Sequence, residues 1–287
     1  MMCMPYLLRS LKSGRFVLVA AVLGLISTPA FSQPRRVVSL NVCTDQMAML
    51  VAEPGQLLSV SHLAADSAVS ARAEGARAYR LNHGSAEEVF MMKPDLVLAG
   101  SYTTRSTVNL LRGLGVTVEE FPPASSLDDI PRDIRRMGQV LQRETQAEAL
   151  ASKFEAELAA LEALPPTGMS AAFYYANSYT AGGGTLVDAI VAAAGMTNAA
   201  QRIGLSGTAY LPLETLILAG PDVVVLGDHA YEKPALAQAN FAHPAFADFI
   251  NSRRSVSVPP RMTICGGPVT LEAARILRAV AEGDKGT

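Results

Sequence analysis

Residues 87–100 read EEVFMMKPDLVLAG and residues 214–227 read ETLILAGPDVVVLG, and the fold prediction rests on this pair. Each stretch begins with a Glu, reaches a Pro-Asp pair seven residues later, and ends in an apolar run closed by Gly. The first part has helical spacing, and the short apolar run is typical of a buried strand. The shared order of helix, Pro-Asp turn and strand predicts a duplicated architecture. Chance recurrence of this order within one α/β domain is the alternative.

The alternation of strand and helix extends outward from both stretches. Apolar, β-branched runs predict strands at residues 37–40, 57–61, 96–100, 116–121, 171–176, 223–227 and 255–258. Helical spacing predicts helices at residues 45–53, 86–92, 106–114, 185–194, 213–219, 244–252 and 271–282. Because most strands are followed by a helix, the strands should be parallel with right-handed crossovers. The predicted fold class is α/β, with two parallel-sheet, Rossmann-like lobes.

Two further helical stretches, residues 128–142 and 144–164, lie between the halves, and Pro165-Pro166 ends the second of them. A helix of this length is a stiff connection that permits only limited hinge motion between two lobes. We therefore expect the lobes to be joined by a long linking helix, with a ligand cleft between them. The predicted division is an N-terminal α/β lobe at residues 33–127, linking helices at 128–166 and a C-terminal α/β lobe at 167–287.

The first 32 residues have a different composition from the rest. Arg9, Lys12 and Arg15 precede an apolar run at residues 16–26, no acidic residue occurs, and Ala30-Phe31-Ser32 offers a cleavage site. These features predict a secretory signal peptide at residues 1–32, cleaved after Ser32. The apolar run is shorter than the roughly 20 residues of a membrane-spanning helix, which disfavours the alternative of an uncleaved anchor.

The overall composition excludes several classes of protein. Hydrophobic residues make up 49% and charged residues 17% of the chain, which excludes disordered, collagen-like and coiled-coil proteins. The formal net charge is −2, so the chain lacks the basic surface that would neutralise phosphates. We therefore predict no nucleic-acid partner.

Cys43 and Cys265 each follow a predicted strand, one in each half. If both faced the cleft, they would approach one another or a bound metal centre, and a disulfide is possible in an oxidising compartment. We expect instead that they are small, separately buried thiols. Because the sequence contains no CxxC or HExxH motif, we predict no cofactor and no metal site of the protein's own.

Ligands of open parallel sheets bind beyond the carboxyl ends of the strands, where the loops diverge. The residues that follow the predicted strands are rich in aromatic and hydroxyl groups, and they suit a bulky, partly apolar ligand with some negative charge. Two arginines among them are candidates to pair with a carboxylate or phosphate. The candidate ligand-binding residues are Asn41, Cys43, Thr44, His62, Tyr102, Thr103, Arg105, Tyr175, Tyr179, Tyr210, His229, Tyr231, Arg261 and Cys265.

The mature chain resembles the periplasmic solute-binding proteins of the iron-chelate (siderophore or haem) and cobalamin family, which feed ABC importers. The resemblance is carried by the order and spacing of motifs along the whole mature chain. These are VVSLNVCTDQ from residue 37, KPDLVLAG from 93, LRGLGVTV from 111, GGGTLVDAIVAAAGMTN from 182 and AGPDVVVLG from 219, together with the long linking helix.

The resemblance implies a periplasmic binding protein, and not an enzyme, that holds a metal chelate between two rigidly connected lobes. It implies delivery of that ligand to an ABC permease in the inner membrane, and we expect the protein to be a monomer. It also implies one acidic residue on each lobe that docks onto permease arginines, and Glu87 and Glu214 occupy the matching positions. Glu88 is the alternative in the first lobe, and either acid at a helix start also complements the helix dipole.

Tryptophans line the cleft of the cobalamin-specific members of this family, whereas this chain contains none, so tyrosines would have to replace them. A carrier of free zinc or manganese is the alternative function, but it would need three or four His, Asp or Glu ligands converging from both halves. A bilobal enzyme is a more distant alternative, because neither a GxSxG elbow nor a phosphate-binding glycine loop is present.

Overall fold

A computed structural model describes residues 33–227 and 236–283 of the chain. The predicted signal peptide, residues 1–32, lies outside the described residues. Within them, no helix combines the length and the apolar character that crossing a bilayer requires.

The first lobe is built on a five-stranded, all-parallel sheet with strand order β3-β2-β1-β4-β5. Its strands are β1 (Val37–Ser39), β2 (Leu57–Ser61), β3 (Arg80–Asn82), β4 (Leu96–Gly100) and β5 (Val118–Phe121). Its helices are α1 (Val42–Val51), α2 (Ala73–Ala76), α3 (Ala86–Met91) and α4 (Arg105–Gly113). Each of the central strands is buried along its length because helices cover both faces.

Two helices, α5 (Asp129–Leu141) and α6 (Glu144–Glu162), connect the lobes as a hairpin. The chain turns at Gln142, whose φ of 54° places it in the left-handed region. Arg135 on α5 donates hydrogen bonds to Glu148 (2.8 Å) and to Glu155 (2.6 Å) on α6. The hairpin therefore behaves as one packed unit.

The second lobe has a four-stranded parallel sheet with order β11-β10-β6-β8 and a separate antiparallel ribbon of β7 and β9. Its strands are β6 (Ser170–Tyr174), β7 (Tyr179–Ala181), β8 (Thr197–Asn198), β9 (Thr208–Tyr210), β10 (Val223–Leu226) and β11 (Arg254–Ser257). Its helices are α7 (Leu186–Ala193), α8 (Ala199–Arg202), α9 (Leu213–Ala219), α10 (Pro244–Asn251) and α11 (Thr270–Glu282). The α/β fold class with two parallel-sheet lobes is confirmed.

The duplicated Pro-Asp pairs have the same structural role in both lobes. Asp95 accepts hydrogen bonds from the backbone N–H of Arg35 (2.9 Å) and Arg36 (3.0 Å), just before β1. Asp222 accepts from the backbone N–H of Ser170, the first residue of β6, at 2.8 Å. The hydrogen bonds from Ser170 also lower the pKa of Asp222 below its usual value. Each pair thus fastens the strand that it begins, β4 or β10, to the first strand of its own lobe.

One hydrophobic core runs through the linking hairpin into both lobes. It contains Leu98 from the first sheet, Ile134 and Phe154 from the hairpin, and Phe173 and Leu271 from the second lobe, all nearly inaccessible to solvent. Helix α5 packs on α1, and α6 packs on α7 and α11. Because apolar burial extends without a break from lobe to lobe, the connection resists bending.

Several short elements were not predicted from the sequence. They are α2, β3, β7, β8, α8 and β9, each four residues long or fewer. Helix α1 begins at Val42, three residues before the predicted start, because the Asn41 side chain caps it by accepting from the N–H of Cys43 at 3.0 Å. The strand predicted at residues 116–121 begins only at Val118.

The close packing of the hairpin generates a test. A Cβ atom added to Gly138 of α5 would lie 2.3 Å from the Cβ of Ala147 on α6, whereas one added to Gly113 at the end of α4 would meet nothing within 4 Å. Gly138→Ala should therefore lower the free energy of unfolding by about 1–3 kcal/mol, because the helices must move apart. Gly113→Ala, the matched control, should leave it unchanged or raise it by up to about 1 kcal/mol. Urea denaturation followed by circular dichroism measures both, and equal values for the two variants would contradict the tight helix contact.

Candidate functional site

The strand order of the first lobe places a gap between the ends of β1 and β4. The chain moves from β1 to β2 and β3 on one side of β1, and then returns to β4 and β5 on the other. Loops that leave adjacent strands in opposite directions open a crevice at the carboxyl edge of the sheet. Asn41 follows β1 and Ser101 follows β4, so both lie at this crevice.

A cavity of about 230 Å³ occupies the crevice and is closed by the second lobe. The first lobe contributes Asn41, Met47, Tyr102 and Phe121 to its wall, and the second lobe contributes Ile264 and Cys265. The lining is mostly apolar with a few polar groups, which is the composition expected for a site that takes an organic ligand.

Cys43 and Cys265 form a disulfide across the two lobes, with their Cα atoms 5.1 Å apart. The expectation of separately buried thiols is wrong. Cys43 lies in the first turn of α1, and Cys265 lies in the segment between β11 and α11, which packs directly against that turn. Next to the bond, a Cβ added to Gly266 would lie 2.7 Å from the Cβ of Ala124. The backbone of the second lobe therefore packs directly against the first lobe at this point.

A second cavity, of about 140 Å³, lies on the other side of Met47 and the disulfide. Its wall includes Gln46, Arg72 and Ile134 together with the segment from Cys265 to Val269. The Nε2 atom of Gln46 and the Nε atom of Arg72 are both buried without a hydrogen-bond partner among the residues that the structure describes. The other end of the Gln46 amide accepts from the N–H of Ala71 at 3.0 Å, which fixes the side chain.

Two unsatisfied donors beside one cavity are costly unless an acceptor reaches them. An acceptor-only group such as a carboxylate or phosphate matches this pair. Arg72 also lines a wider, adjoining cavity with Arg261 of the second lobe. Arg261 is among the ligand-binding residues predicted from the sequence, whereas Gln46 and Arg72 are not. The available signal was the spacing of Gln46, three residues after Cys43 on the same helix face.

Exposed tyrosines come from both lobes. Tyr102 is 88% exposed at the mouth of the first cavity. In the second lobe, Tyr179 on β7 is paired with Tyr210 on β9, and their rings meet edge to face with centroids 6.3 Å apart. Tyr175 is half-buried against the core, and this burial raises the pKa of its hydroxyl above the usual range. Its neighbour Tyr174 is fully buried.

His62 and Thr103 lie at strand ends in the first lobe, as predicted. The His62 ring stacks on His83 with centroids 4.9 Å apart, and both side chains are exposed at the ends of β2 and β3. The Thr103 hydroxyl accepts from the N–H of Gly100 at 3.0 Å, within the turn that follows β4.

Thr44 and Arg105 are engaged in contacts within the first lobe. Thr44 is buried, and its hydroxyl donates to the carbonyl of Asn41 at 2.9 Å. Arg105 forms an ion pair with Glu120, which lowers the pKa of that carboxyl. His229 and Tyr231 lie outside the described residues.

Glu87 and Glu88 differ in their surroundings although they are adjacent. The Glu88 carboxylate accepts from the backbone N–H of His83 at 2.8 Å, and the Glu88 N–H donates to the hydroxyl of Ser85, the N-cap of α3. Glu87 is exposed, as is Glu214 in the first turn of α9. Neither takes part in an ion pair or hydrogen bond within residues 33–227 and 236–283.

Asp45 is a buried acid behind the site. It accepts hydrogen bonds from the hydroxyl of Ser61 at 2.5 Å and from its backbone N–H at 3.2 Å. Burial raises its pKa to about 6, although hydrogen bonds from Ser39 and Ser61 oppose this in part. Over the described part of the chain, no group of three or more His, Cys, Asp or Glu side chains is arranged to hold a metal ion.

Comparisons with known proteins agree with this geometry. A family described as periplasmic binding protein matches residues 37–252. A cobalamin-binding protein of Halobacterium salinarum is 28% identical over 213 residues, which cover 72% of this chain but only 58% of that relative. Among solved structures, a periplasmic haem-binding protein from Roseiflexus sp. RS-1 is 25% identical with a TM-score of 0.70, covering 86% of this chain and 99% of that one. A vitamin B12-binding protein of Vibrio cholerae shares the fold at 18% identity and a TM-score of 0.66, over 89% of this chain and 99% of that one.

The raised pKa of Asp45 predicts a pH dependence of stability. Its carboxyl titrates near 3.8 in the unfolded chain and near 6 in the folded one, so the folded state binds the extra proton between these values. The contribution of this group to stability is therefore greatest below pH 3.8 and is lost as the pH rises to 6, by about 3 kcal/mol. Asp45→Asn removes this dependence. Urea denaturation at pH 4 and pH 7 measures this: the free energy of unfolding of the variant, relative to that of the wild type, should be higher at pH 7 than at pH 4. The same difference at both pH values would contradict the burial of a titrating acid.

The disulfide closes a loop of large sequence separation, 222 residues, and so constrains the unfolded chain strongly. The double variant Cys43→Ala/Cys265→Ala should lower the free energy of unfolding by about 2–5 kcal/mol. Reduction of the wild type should produce a similar loss in urea denaturation, whereas the double variant should not respond to the reductant. Two free thiols in the unreduced, denatured wild type would contradict the bond.

Proposed function

This chain belongs to the periplasmic binding protein family, and from that membership we propose that it captures a metal chelate between its lobes for an ABC importer. The chelate is a ferric siderophore, a cobalamin-type corrinoid or haem. The chain would pass it to a permease in the inner membrane. The curated relatives are longer than the aligned region, so the ligand is argued from the site itself.

The observation that carries the proposal is the mostly apolar cavity walled by both lobes, with the exposed Tyr102 at its mouth. Tyr102 stands at the mouth of the first cavity, and Tyr179 and Tyr210 form an exposed pair on the second lobe. Aromatic faces of this kind suit the flat, apolar surface of a macrocycle or chelate. The names of similar proteins, which mention haem and cobalamin, support ligands of this class.

The second cavity indicates that the ligand also carries an acidic group. The unsatisfied donors of Gln46 and Arg72, with Arg261 nearby, favour a chelate that carries a carboxylate or phosphate. An arginine binds such a group with paired hydrogen bonds, and it does so most strongly where water is excluded. The ligand would then contact both lobes, with its flat part toward the tyrosines and its acidic arm behind the disulfide.

A carrier of free zinc or manganese is the alternative. Such a site needs three or four His, Asp or Glu ligands around one point. Within the described residues, the walls of the first and second cavities contain one acidic residue, Asp133, and neither histidine nor glutamate. The chelate is therefore the better match to the groups present.

The remaining parts of the proposal follow from the family and the sequence. Residues 1–32 would direct export to the periplasm and be removed, and the monomer would act without catalysis or a cofactor. Residues 33–127 and 167–287 would be the functional lobes, with residues 128–166 linking them. Glu87 and Glu214 would dock onto permease arginines, and the hydrogen bond that the Glu88 carboxylate accepts from the His83 N–H favours Glu87 over Glu88.

A ligand panel tests this proposal. Purified mature protein is titrated with haemin, cyanocobalamin, a ferric hydroxamate siderophore, Zn²⁺ and Mn²⁺, and tyrosine emission is recorded, since the chain has no tryptophan. We expect one of the three chelates to quench the emission saturably at 1:1 stoichiometry, because Tyr102 lies at the mouth of the first cavity. Absence of binding by all three chelates, or stoichiometric zinc or manganese alone, would exclude the proposal.

The same titration tests the acidic arm when it is repeated with variants. Arg72→Met and Gln46→Leu should each weaken binding of the chelate by about tenfold. Arg77→Met is the matched control, because Arg77 lies nearby on the surface and pairs with Glu74. Equal affinity of all three variants would show that the second cavity does not contact the ligand.

A further inference from the structure

The exposed apolar side chains of the described residues include four that stand apart. Tyr102 (88%), Leu218 (86%), Met91 (77%) and Tyr210 (61%) are more than half exposed, and every other large hydrophobic side chain is less than half exposed. They form two pairs with one member on each lobe. Tyr102 lines the first cavity and Tyr210 is a predicted ligand-binding residue, whereas Met91 and Leu218 line none of the described cavities.

Met91 and Leu218 occupy equivalent positions in the duplicated segments. Each follows its glutamate, Glu87 or Glu214, by four residues. Residues four apart on a helix are neighbours on one face, with Cβ atoms roughly 5–6 Å apart. Both α3 and α9 therefore present a carboxylate beside a large apolar side chain.

Packing within each lobe explains the apolar residues on the core side of these helices, but it does not explain Met91 and Leu218. Val89 and Leu216, which stand between the glutamate and the exposed residue in each copy, are completely buried in the cores of their lobes. A single exposed apolar residue is common on any surface. The same acid and apolar pair on two equivalent helices of two different lobes is much less expected by chance.

The charge of each patch is also uncompensated. Glu87 and Glu214 have no ion pair or hydrogen bond in the described parts of the chain, whereas the carboxylate of the neighbouring Glu88 accepts a hydrogen bond from the His83 N–H. A helix that crosses between parallel strands runs antiparallel to them, so its first turn lies at the edge where the strands end. Both patches thus begin at the same edge of their lobes as the cleft.

We propose that Glu87 with Met91, and Glu214 with Leu218, form two equivalent docking patches for the membrane permease. This inference rests on the proposed function and adds the apolar half of the contact. Two equivalent patches fit a partner with two-fold symmetry, each half of which offers a cation beside an apolar pocket. Burial of the apolar side chain excludes water from the adjacent ion pair, which strengthens it.

The test measures binding of ligand-saturated protein to inner-membrane vesicles from the organism that encodes the chain. Met91→Gln and Leu218→Gln should each raise the dissociation constant about tenfold, and the double variant about a hundredfold. The control is Leu110→Gln/Ile203→Gln, which changes one less exposed apolar residue on each lobe and should have no effect. Chelate affinity, read by tyrosine emission, should be the same in every variant.

The salt dependence of vesicle binding distinguishes the ionic contribution of each patch from its apolar contribution. Glu87→Gln/Glu214→Gln should weaken binding most at low ionic strength, because salt screens the lost ion pairs, whereas the effect of the apolar variants should persist in high salt. Protein-free vesicles of the same lipids should not bind the wild type.

Three results would overturn the inference. If the apolar variants bind the vesicles like the control while the glutamate variants bind more weakly, Met91 and Leu218 have no role in docking. The proposed function would not be affected by that result. An effect confined to one lobe would exclude a partner with two equivalent halves. If the wild-type protein does not bind the membrane vesicles, or binds protein-free lipid vesicles equally well, both the delivery of ligand to a permease and the two docking patches would be excluded.

Discussion

The covalent joint between the lobes is the constraint on which the cleft depends. A protein of two lobes joined by one linker can rotate about that linker, and its cleft opens and closes. Here Cys43 in the first turn of α1 is bonded to Cys265 before α11, and Gly266 packs against Ala124 beside that bond. The linking hairpin shares its core with both lobes. Two joints of different kinds leave the lobes little freedom to separate, so the space between them is largely fixed before any ligand arrives.

A preformed cleft has consequences for what it binds. Little ordering entropy is lost on binding, so affinity depends on the fit of the ligand to walls that do not move. The disulfide and Met47 divide the interlobe space into an apolar cavity near Tyr102 and a smaller one near Arg72. A ligand that is apolar at one end and acidic at the other would satisfy both. Selectivity would then come from the distance between these two chemistries, and not from closure of the lobes around the ligand.

The sequence predicted the long elements and missed the short ones for a physical reason. Periodicity identifies a buried strand such as β4 or an amphipathic helix such as α11, because burial on one side imposes the pattern. Strand β3 reads Arg-Leu-Asn at a sheet edge and has no such pattern. The sequence placed Tyr102 and Arg261 beside the cleft, but pairing of Cys43 with Cys265 depends on how two lobes meet. That geometry is set by packing across the hairpin, and the local sequence around either cysteine does not predict such packing. Gln46 and Arg72 were missed for the same reason.

The duplicated segment shows how positions required by the fold can be separated from those that are not. In both copies the Pro-Asp acid holds the first strand of its lobe, and the residue two after the glutamate fills the core. These similarities follow from building the same α/β unit twice, and they carry no information about function. The exposed glutamate in the first turn complements the helix dipole, whereas the exposed apolar residue one turn later contributes to none of these tasks. An exposed apolar residue at the same position of both copies, without a role in folding, is what the proposed contact of one partner with both lobes requires.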